Sequence, residues 1–238
     1  MADISAAEAS SLRLTGERTV RGITEENYWF RRHEAAYLQL LSYCRRARVL
    51  EAGCGVGAQT VTLAQRSPQA RITSIDISAV SLAEAKQTAE LAGVANVEFR
   101  QADLFDLPFG GESFDHVFVC FVLEHLSRPA EALAILKRML KPGGSITVIE
   151  GDHGSAYFHP DSAPARAAIQ SLVTLQRELG GNALVGRQLY PLLTEAGFAR
   201  VRVSPRILYV DSSRPDHRAG FSRNTSTPLA AGPRGAAR

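Results

Sequence analysis

Three glycines at alternate positions constrain the fold of this chain more than any other feature. They close the run Val49-Leu50-Glu51-Ala52-Gly53-Cys54-Gly55-Val56-Gly57, and a segment of helical character, 58–65, follows directly. Glycine adopts a positive φ at no steric cost and lets a ligand approach the main chain. The pattern predicts a buried strand, a tight turn and a helix whose free N–H groups face whatever lies over the turn. An ordinary strand-to-helix turn would show the same pattern, so the interpretation needs support from the rest of the chain.

An acidic residue at the end of the next predicted strand gives that support. Asp76 closes the segment 71–76, about 20 residues after the turn, where nucleoside-binding folds place the acid that accepts ribose hydroxyls. The third glycine, Gly57, comes one residue earlier than in the Gly-x-Gly-x-x-Gly turn of dinucleotide sites. These observations indicate a nucleoside site with a turn that differs from the dinucleotide type.

This glycine spacing, with Glu51 before the turn, resembles motif I of the class I S-adenosylmethionine-dependent methyltransferases. Three further pieces match that family in order: the acid at Asp76, the segment 101–104 and the segment 140–145, Leu-Lys-Pro-Gly-Gly-Ser. The resemblance covers roughly residues 45 to 210. It implies an α/β fold, with a doubly wound, mostly parallel sheet and helices on both faces.

Alternating strand and helix patterns point to the same architecture. After Asp76, Ser78 is expected to cap a helix that stops at Gly93, and Pro129 to open a helix that ends at Lys141. The later strands are predicted at 97–101, 114–121, 145–150 and 201–210. The family usually adds a final antiparallel strand, but prolines and glycines interrupt the chain after 210, so we expect that strand to be missing. Its loss would leave strand edges unpaired, so we expect the protein either to self-associate, as in a homodimer, or to be less stable than its relatives.

The chain divides into three predicted regions. Residues 1–24 form a flexible arm, 25–210 the methyltransferase domain with a helical insertion at about 151–197, and 211–238 a basic tail. The tail holds five arginines and two aspartates, which accounts for the whole net charge of +3. Because the body is neutral, no basic surface for nucleic acid is expected.

Cysteine usage and hydropathy indicate a cytoplasmic protein without a membrane segment. The longest apolar run, 117–123, has the length of a strand, and the N-terminus lacks the features of a signal peptide. The three cysteines are widely spaced, which argues against a disulfide framework or a zinc site.

The resemblance also implies which residues hold the cofactor, S-adenosylmethionine, and its product, S-adenosylhomocysteine. Asp76 would accept both ribose hydroxyls, Asp103 the adenine amino group, and Leu104 would face the adenine ring. Glu51 would help to hold the amino end, directly or through water. Asp103 could instead be a plain loop cap. The remaining predicted contacts are Gly53, Cys54, Gly55 and Gly57 of the turn, Ile77, Cys120 and Phe121 at strand ends, and Tyr28 and Arg32.

Tyr28 and Arg32 belong to a segment, 26–33, that is dense in aromatic and basic residues. By resemblance it is an N-terminal lid, in which Arg32 pairs with the cofactor carboxylate and His33 faces the substrate. The alternative is that Trp29 and Phe30 fasten a helix to the core.

Methyl transfer from a sulfonium is an in-line displacement, so a protein mainly aligns the reactants and excludes water. A hydroxyl acceptor also benefits from a base. His153 is the preferred candidate and His125 the second, although either could be structural; Tyr157 and His159 are expected to contact substrate. Asp152, His153, His159 and Asp161 could also be read as metal ligands, but no metal is predicted.

The sequence therefore predicts a methyltransferase that acts on a small molecule or small peptide, most simply at an oxygen atom. One alternative is a catalytically silent module that binds S-adenosylmethionine. Another is a nicotinamide-dependent oxidoreductase, which the glycine spacing opposes. No Tyr-x-x-x-Lys pair occurs in the sequence either.

Overall fold

A computed structural model describes residues 46–206 and 210–213, and these residues contain one five-stranded parallel sheet. The strands are β1 (Arg48–Ala52), β2 (Arg71–Asp76), β3 (Val97–Gln101), β4 (Phe114–Cys120) and β5 (Leu140–Ile149). The helices are α1 (Ala58–Arg66), α2 (Ala79–Leu91), α3 (Pro129–Met139), α4 (Ala163–Glu178) and α5 (Leu189–Glu195). Short 3₁₀ helices cover Leu123–His125, His153–Ser155 and Val185–Gln188. The predicted arm, the lid and most of the basic tail lie outside the described residues.

The strands lie in the order β3-β2-β1-β4-β5, so the chain first builds outward from β1 and then crosses to its other side. Leu50 of β1 is in register with Thr73 of β2 and Val117 of β4. The strand order reverses between β1 and β4, and the crevice at the carboxyl ends of such a pair is where open α/β sheets bind ligands.

Alternate residues of each strand face opposite sides of the sheet, and helices cover both sides. Leu50 and Val117 belong to the larger core cluster, which α3 and α5 complete. Val49 and Phe118 belong to a second cluster, which packs against α1. This arrangement confirms the doubly wound α/β class.

The predicted helix boundaries follow from their capping residues. Ser78 accepts a hydrogen bond from the Ser81 N–H at the start of α2, and Gly93 follows that helix with φ 66°. Ser162 caps α4 in the same way, through the N–H of Ala165. In the part of the chain that is described, no helix is long and apolar enough to span a membrane.

Two element predictions need correction. The third long helix ends at Met139, not at Lys141, because Leu140 is already extended and pairs with Phe114. A register shift follows, and pairing resumes at Ser145, so the strand absorbs the Pro-Gly-Gly segment as a bulge.

The predicted sixth strand is also not observed over its described part. Residues 201–206 are irregular, and 207–209 lie outside the described residues. Pro205 lacks the N–H that a ladder requires, and Arg200 just before the segment has φ 56°.

Candidate functional site

The three glycines of the turn are required for three different reasons. Gly53 has φ 80°, and a Cβ there would lie 2.4 Å from Cγ2 of Val122. Gly57, with φ 81°, lets the start of α1 pack on α2, because a Cβ would lie 3.0 Å from the Cβ of Ala85. For Gly55, with φ 52°, no atom of the described residues lies within 4 Å of such a Cβ. Within this part of the chain, the space over Gly55 is therefore the opening through which a ligand can approach the backbone.

Asp76 stands beside this opening at the end of β2. Its Oδ2 accepts a hydrogen bond from the Gly55 N–H at 2.8 Å, and its Oδ1 accepts one from the Ser78 N–H at 2.9 Å. Each carboxylate oxygen has a second lone pair, so the group can still accept two donors from a ligand. The N–H groups of Gly53 and Cys54 both donate to the carbonyl of Ile75, which ties the turn to β2.

Glu51 supports the turn from beneath. It is 2% exposed, and its Oε2 accepts hydrogen bonds from Thr60 at 2.7 Å and from Ser74 at 2.6 Å. Burial raises the pKa of Glu51 to about 7, against the opposing effect of these two hydroxyls. Cys54 is buried next to it, and burial, followed by the charges of Glu51 and Asp76, raises the pKa of its thiol far above the ordinary value.

The segment predicted to hold the adenine forms a compact loop. Asp103 accepts a hydrogen bond from the Phe105 N–H at 2.8 Å, and its carbonyl accepts one from the Asp106 N–H. Asp103 thus caps this loop. Leu104 is 9% exposed and packs in the larger core cluster. Their contacts with adenine remain predictions.

The end of β4 closes the other side of the crevice. Cys120 is partly buried, and the side-chain amide of Gln59 lies 3.7 Å from its sulfur. Phe121 has φ 54°, and its N–H donates to the carbonyl of Ile149. This left-handed residue turns the chain so that Val122 lies over Gly53.

The sequence did not single out Glu124, which joins the two histidines proposed as bases. Its side chain is 10% exposed, and its Oε2 lies 3.4 Å from Nε2 of His153. Its Oε1 lies 3.7 Å from Nε2 of His125. The side-chain amide of Gln176 on α4 completes the surroundings, at 3.3 Å from Oε2. The only sequence signal was an acid directly before a histidine, just beyond a predicted buried strand.

A second carboxylate, Glu150, follows β5 and caps the 3₁₀ helix that carries Glu124. Its Oε1 accepts hydrogen bonds from the N–H groups of Val122 at 2.9 Å and Leu123 at 2.7 Å. Burial and then the charge of Glu124 raise the pKa of Glu150 to about 8. Burial acts in the same direction on Glu124, but the contacts with His153 and His125 outweigh it and lower the pKa of Glu124.

The other predicted residues of the β5 loop do not join this group. Tyr157 is 90% exposed and His159 is exposed. Asp152 is held by Arg187 through three contacts of 2.8 to 3.0 Å, and Asp161 pairs with Arg166. Since both aspartates are engaged by arginines, the structure gives no support to the metal-site interpretation.

A profile of the methyltransferase domain family matches residues 50–148. A probable S-adenosylmethionine-dependent methyltransferase of Mycolicibacterium smegmatis is 38% identical over 148 residues, covering 62% of this chain and 55% of the relative. The trans-aconitate 2-methyltransferase of Deinococcus radiodurans is 34% identical over 158 residues, covering 65% and 56%. The chain thus spans roughly half the length of these curated relatives.

The fold has solved counterparts. A crystal structure described as a SAM-dependent methyltransferase from Aquifex aeolicus has a TM-score of 0.55 and 20% identity, covering 71% of this chain and 80% of that one. At this identity the likeness shows the fold alone.

Proposed function

We propose that this chain, which through residues 50–148 belongs to the S-adenosylmethionine-dependent methyltransferases, methylates a small molecule or small peptide at an oxygen atom. The observation that carries the proposal is the Asp76 carboxylate. It is fixed by two main-chain N–H groups at the carboxyl end of β2, beside the open space over Gly55 and next to β1, the strand at which the order reverses.

The residues at this point fit the cofactor of the family. A carboxylate with free lone pairs suits a vicinal diol, and the open turn admits a ligand that lies close to the backbone. When bound, S-adenosylmethionine supplies a methyl group on an activated sulfonium. The chain itself contributes alignment and the exclusion of water.

Each cofactor contact has a proposed role. Asp76 binds the ribose hydroxyls, and Asp103 with Leu104 grips the adenine. The methionine part of the cofactor lies on the turn residues Gly53, Cys54, Gly55 and Gly57. It is flanked by Ile77, Cys120 and Phe121 and covered by Tyr28 and Arg32. Glu51 is buried beneath the turn, so a link from it to the amino end would run through bound water or through the turn itself.

An oxygen acceptor is favoured by the histidine beside the crevice. His153 follows β5, and its ring contacts a carboxylate that can stabilise its charged form. His33, Tyr157 and His159 remain proposed substrate contacts. One relative is named trans-aconitate 2-methyltransferase, and the small acid in its name supports a small-molecule acceptor here.

The experiment is to measure S-adenosylhomocysteine production with a panel of small carboxylic acids, phenols, amines and short peptides. We expect turnover with an oxygen acceptor and at least a roughly 10²-fold lower kcat in His153→Ala. His125→Ala is the matched control. Greater damage from the His125 change would reverse the assignment, and turnover confined to amines would contradict O-methylation.

Two alternatives remain distinguishable. A silent binding module would bind S-adenosylmethionine and give no product with any acceptor, and an oxidoreductase would bind NAD instead. We also propose a cytoplasmic location, since the three cysteines are widely spaced in the sequence and form no paired motif.

A further inference from the structure

We propose that Glu124 is the positioning residue of this site, which fixes the ring of His153 so that Nδ1 faces the acceptor. We further propose that the helical insertion holds this pair in place. The inference deepens the proposed O-methylation and rests on it.

The geometry distinguishes the two histidines. Nε2 of His153 lies 3.4 Å from Glu124 Oε2, which is long for an N–H···O bond but typical of catalytic contacts before substrate binds. The 3.7 Å separation from His125 is too long for a hydrogen bond. A neutral imidazole carries one N–H, so donation from Nε2 leaves the lone pair of His153 on Nδ1.

Glu124 is itself held by the insertion. Its carbonyl accepts hydrogen bonds from the N–H of Asn182 at 2.7 Å and from the side-chain amide of Gln176 at 2.9 Å. Gly181 permits this contact, because a Cβ there would lie 2.5 Å from the Glu124 carbonyl oxygen. Any larger residue at 181 would push the insertion away from the carboxylate.

His153 is tied to the same stretch of the insertion. Its main-chain N–H donates to the carbonyl of Ala183 at 3.0 Å, and the N–H of Gly186 donates to the carbonyl of Gly151 at 2.9 Å. Ala183 is 1% exposed, so the segment behind the pair is buried. Both partners therefore take their positions from one loop, 181–186.

The charges around the pair make Glu124 the anion that faces His153. His125 lies on the same 3₁₀ helix, Glu150 approaches from the end of β5, and the neutral Gln176 from α4. Burial and the charge of Glu124 raise the pKa of Glu150 to about 8, so Glu150 is largely protonated at pH 7. Two carboxylates with separated pKa values take separate roles: Glu150 caps the helix and Glu124 orients the base.

The first test is a double-mutant cycle on kcat. Glu124→Gln should lower kcat roughly 10- to 100-fold, the range seen when a supporting carboxylate is lost, while S-adenosylmethionine affinity changes less than about twofold. In a His153→Ala background the same change should have no further effect. Glu131→Gln, an exposed glutamate paired with Arg128, is the charge-matched control and should keep wild-type activity. An equal loss in both backgrounds would overturn the inference and indicate a structural role.

The second test needs no acceptor and so is independent of the proposed function. Nitrogen-15 NMR of His153 should show Nε2 carrying the proton in the wild type and a mixture of tautomers in Glu124→Gln. An unchanged tautomer ratio would contradict the inference. If no acceptor is turned over but the tautomer changes as expected, the proposed function fails while the positioning contact stands.

Discussion

At the scale of single residues, Asp76 links the fold to its proposed ligand. The same two oxygens that accept the N–H groups of Gly55 and Ser78 are available to a ribose. The residue thus shapes the turn and the pocket together, and its removal should affect both.

Asp76→Ala should weaken S-adenosylmethionine binding by about 2 to 3 kcal/mol, because charge-assisted hydrogen bonds are lost. Asp115→Ala is the control: Asp115 also accepts a main-chain hydrogen bond, from Arg48 at 2.7 Å, but at the opposite end of the sheet. It should lower thermal stability and leave cofactor affinity unchanged. Equal affinity in the wild type and Asp76→Ala, by calorimetric titration, would remove the ribose role.

Glu51 should make stability depend on pH. Its pKa, raised by burial to about 7, lies above the value in the unfolded chain, so the folded state holds the proton more tightly. The contribution of Glu51 to stability is therefore fully present below the pKa of the unfolded chain and is lost as the pH rises through about 7. Relative to Glu51→Gln, the wild type should lose about 2 to 3 kcal/mol of unfolding free energy between about pH 5 and pH 8. Denaturant titrations check this, and parallel pH profiles for the two proteins would contradict it.

Residue roles were only partly readable from the sequence. Gly53, Gly55 and Asp76 could be placed because their spacing along the chain fixes them at strand ends. Glu124 could not, since its partners come from α4 and the β5 loop, about 30 to 50 residues away in sequence. A contact of that kind depends on how the insertion packs, which no local pattern encodes.

At the scale of elements, two glycines of the turn have different roles: Gly55 leaves room for the cofactor, and Gly53 is needed for the packing of the fold. Gly55→Val should leave a folded domain, with a strain of roughly 1 to 2 kcal/mol from its φ of 52°. The branched side chain should fill the open space and abolish cofactor binding. Retained binding of S-adenosylmethionine would place the pocket elsewhere.

Gly53→Ala should instead lower the stability of the folded domain. Its Cβ would lie 2.4 Å from Val122, and we expect a loss of about 1 to 3 kcal/mol in unfolding free energy. Adding Val122→Ala should recover part of that loss, which thermal denaturation of the double variant would show. A double variant no more stable than Gly53→Ala would mean that the positive φ alone is responsible.

Element boundaries were predictable where a capping residue or a nearly continuous apolar run fixed them, as for α4 and β4. The start of β5 was not, because Pro142-Gly143-Gly144 reads as a break in the sequence. In the structure those residues form the bulge of a strand already paired at Leu140.

At the scale of the whole molecule, β5 is an edge of the sheet among the described residues. The predicted division into an arm, a domain and a tail remains a prediction, as does the homodimer. An open edge favours pairing between copies, so we expect light scattering to give a concentration-dependent mass approaching twice 25.7 kDa. A constant monomer mass across the concentration range would contradict self-association.

The proposed function requires that S-adenosylmethionine binds in the crevice at the carboxyl ends of β1 and β4. Calorimetric titration of the wild-type protein with S-adenosylmethionine, and separately with NAD, tests this most directly. We predict one S-adenosylmethionine bound per chain, no heat of binding for NAD, and loss of the S-adenosylmethionine signal in Gly55→Val. Binding of NAD with none of S-adenosylmethionine, or no binding of either, would contradict the account.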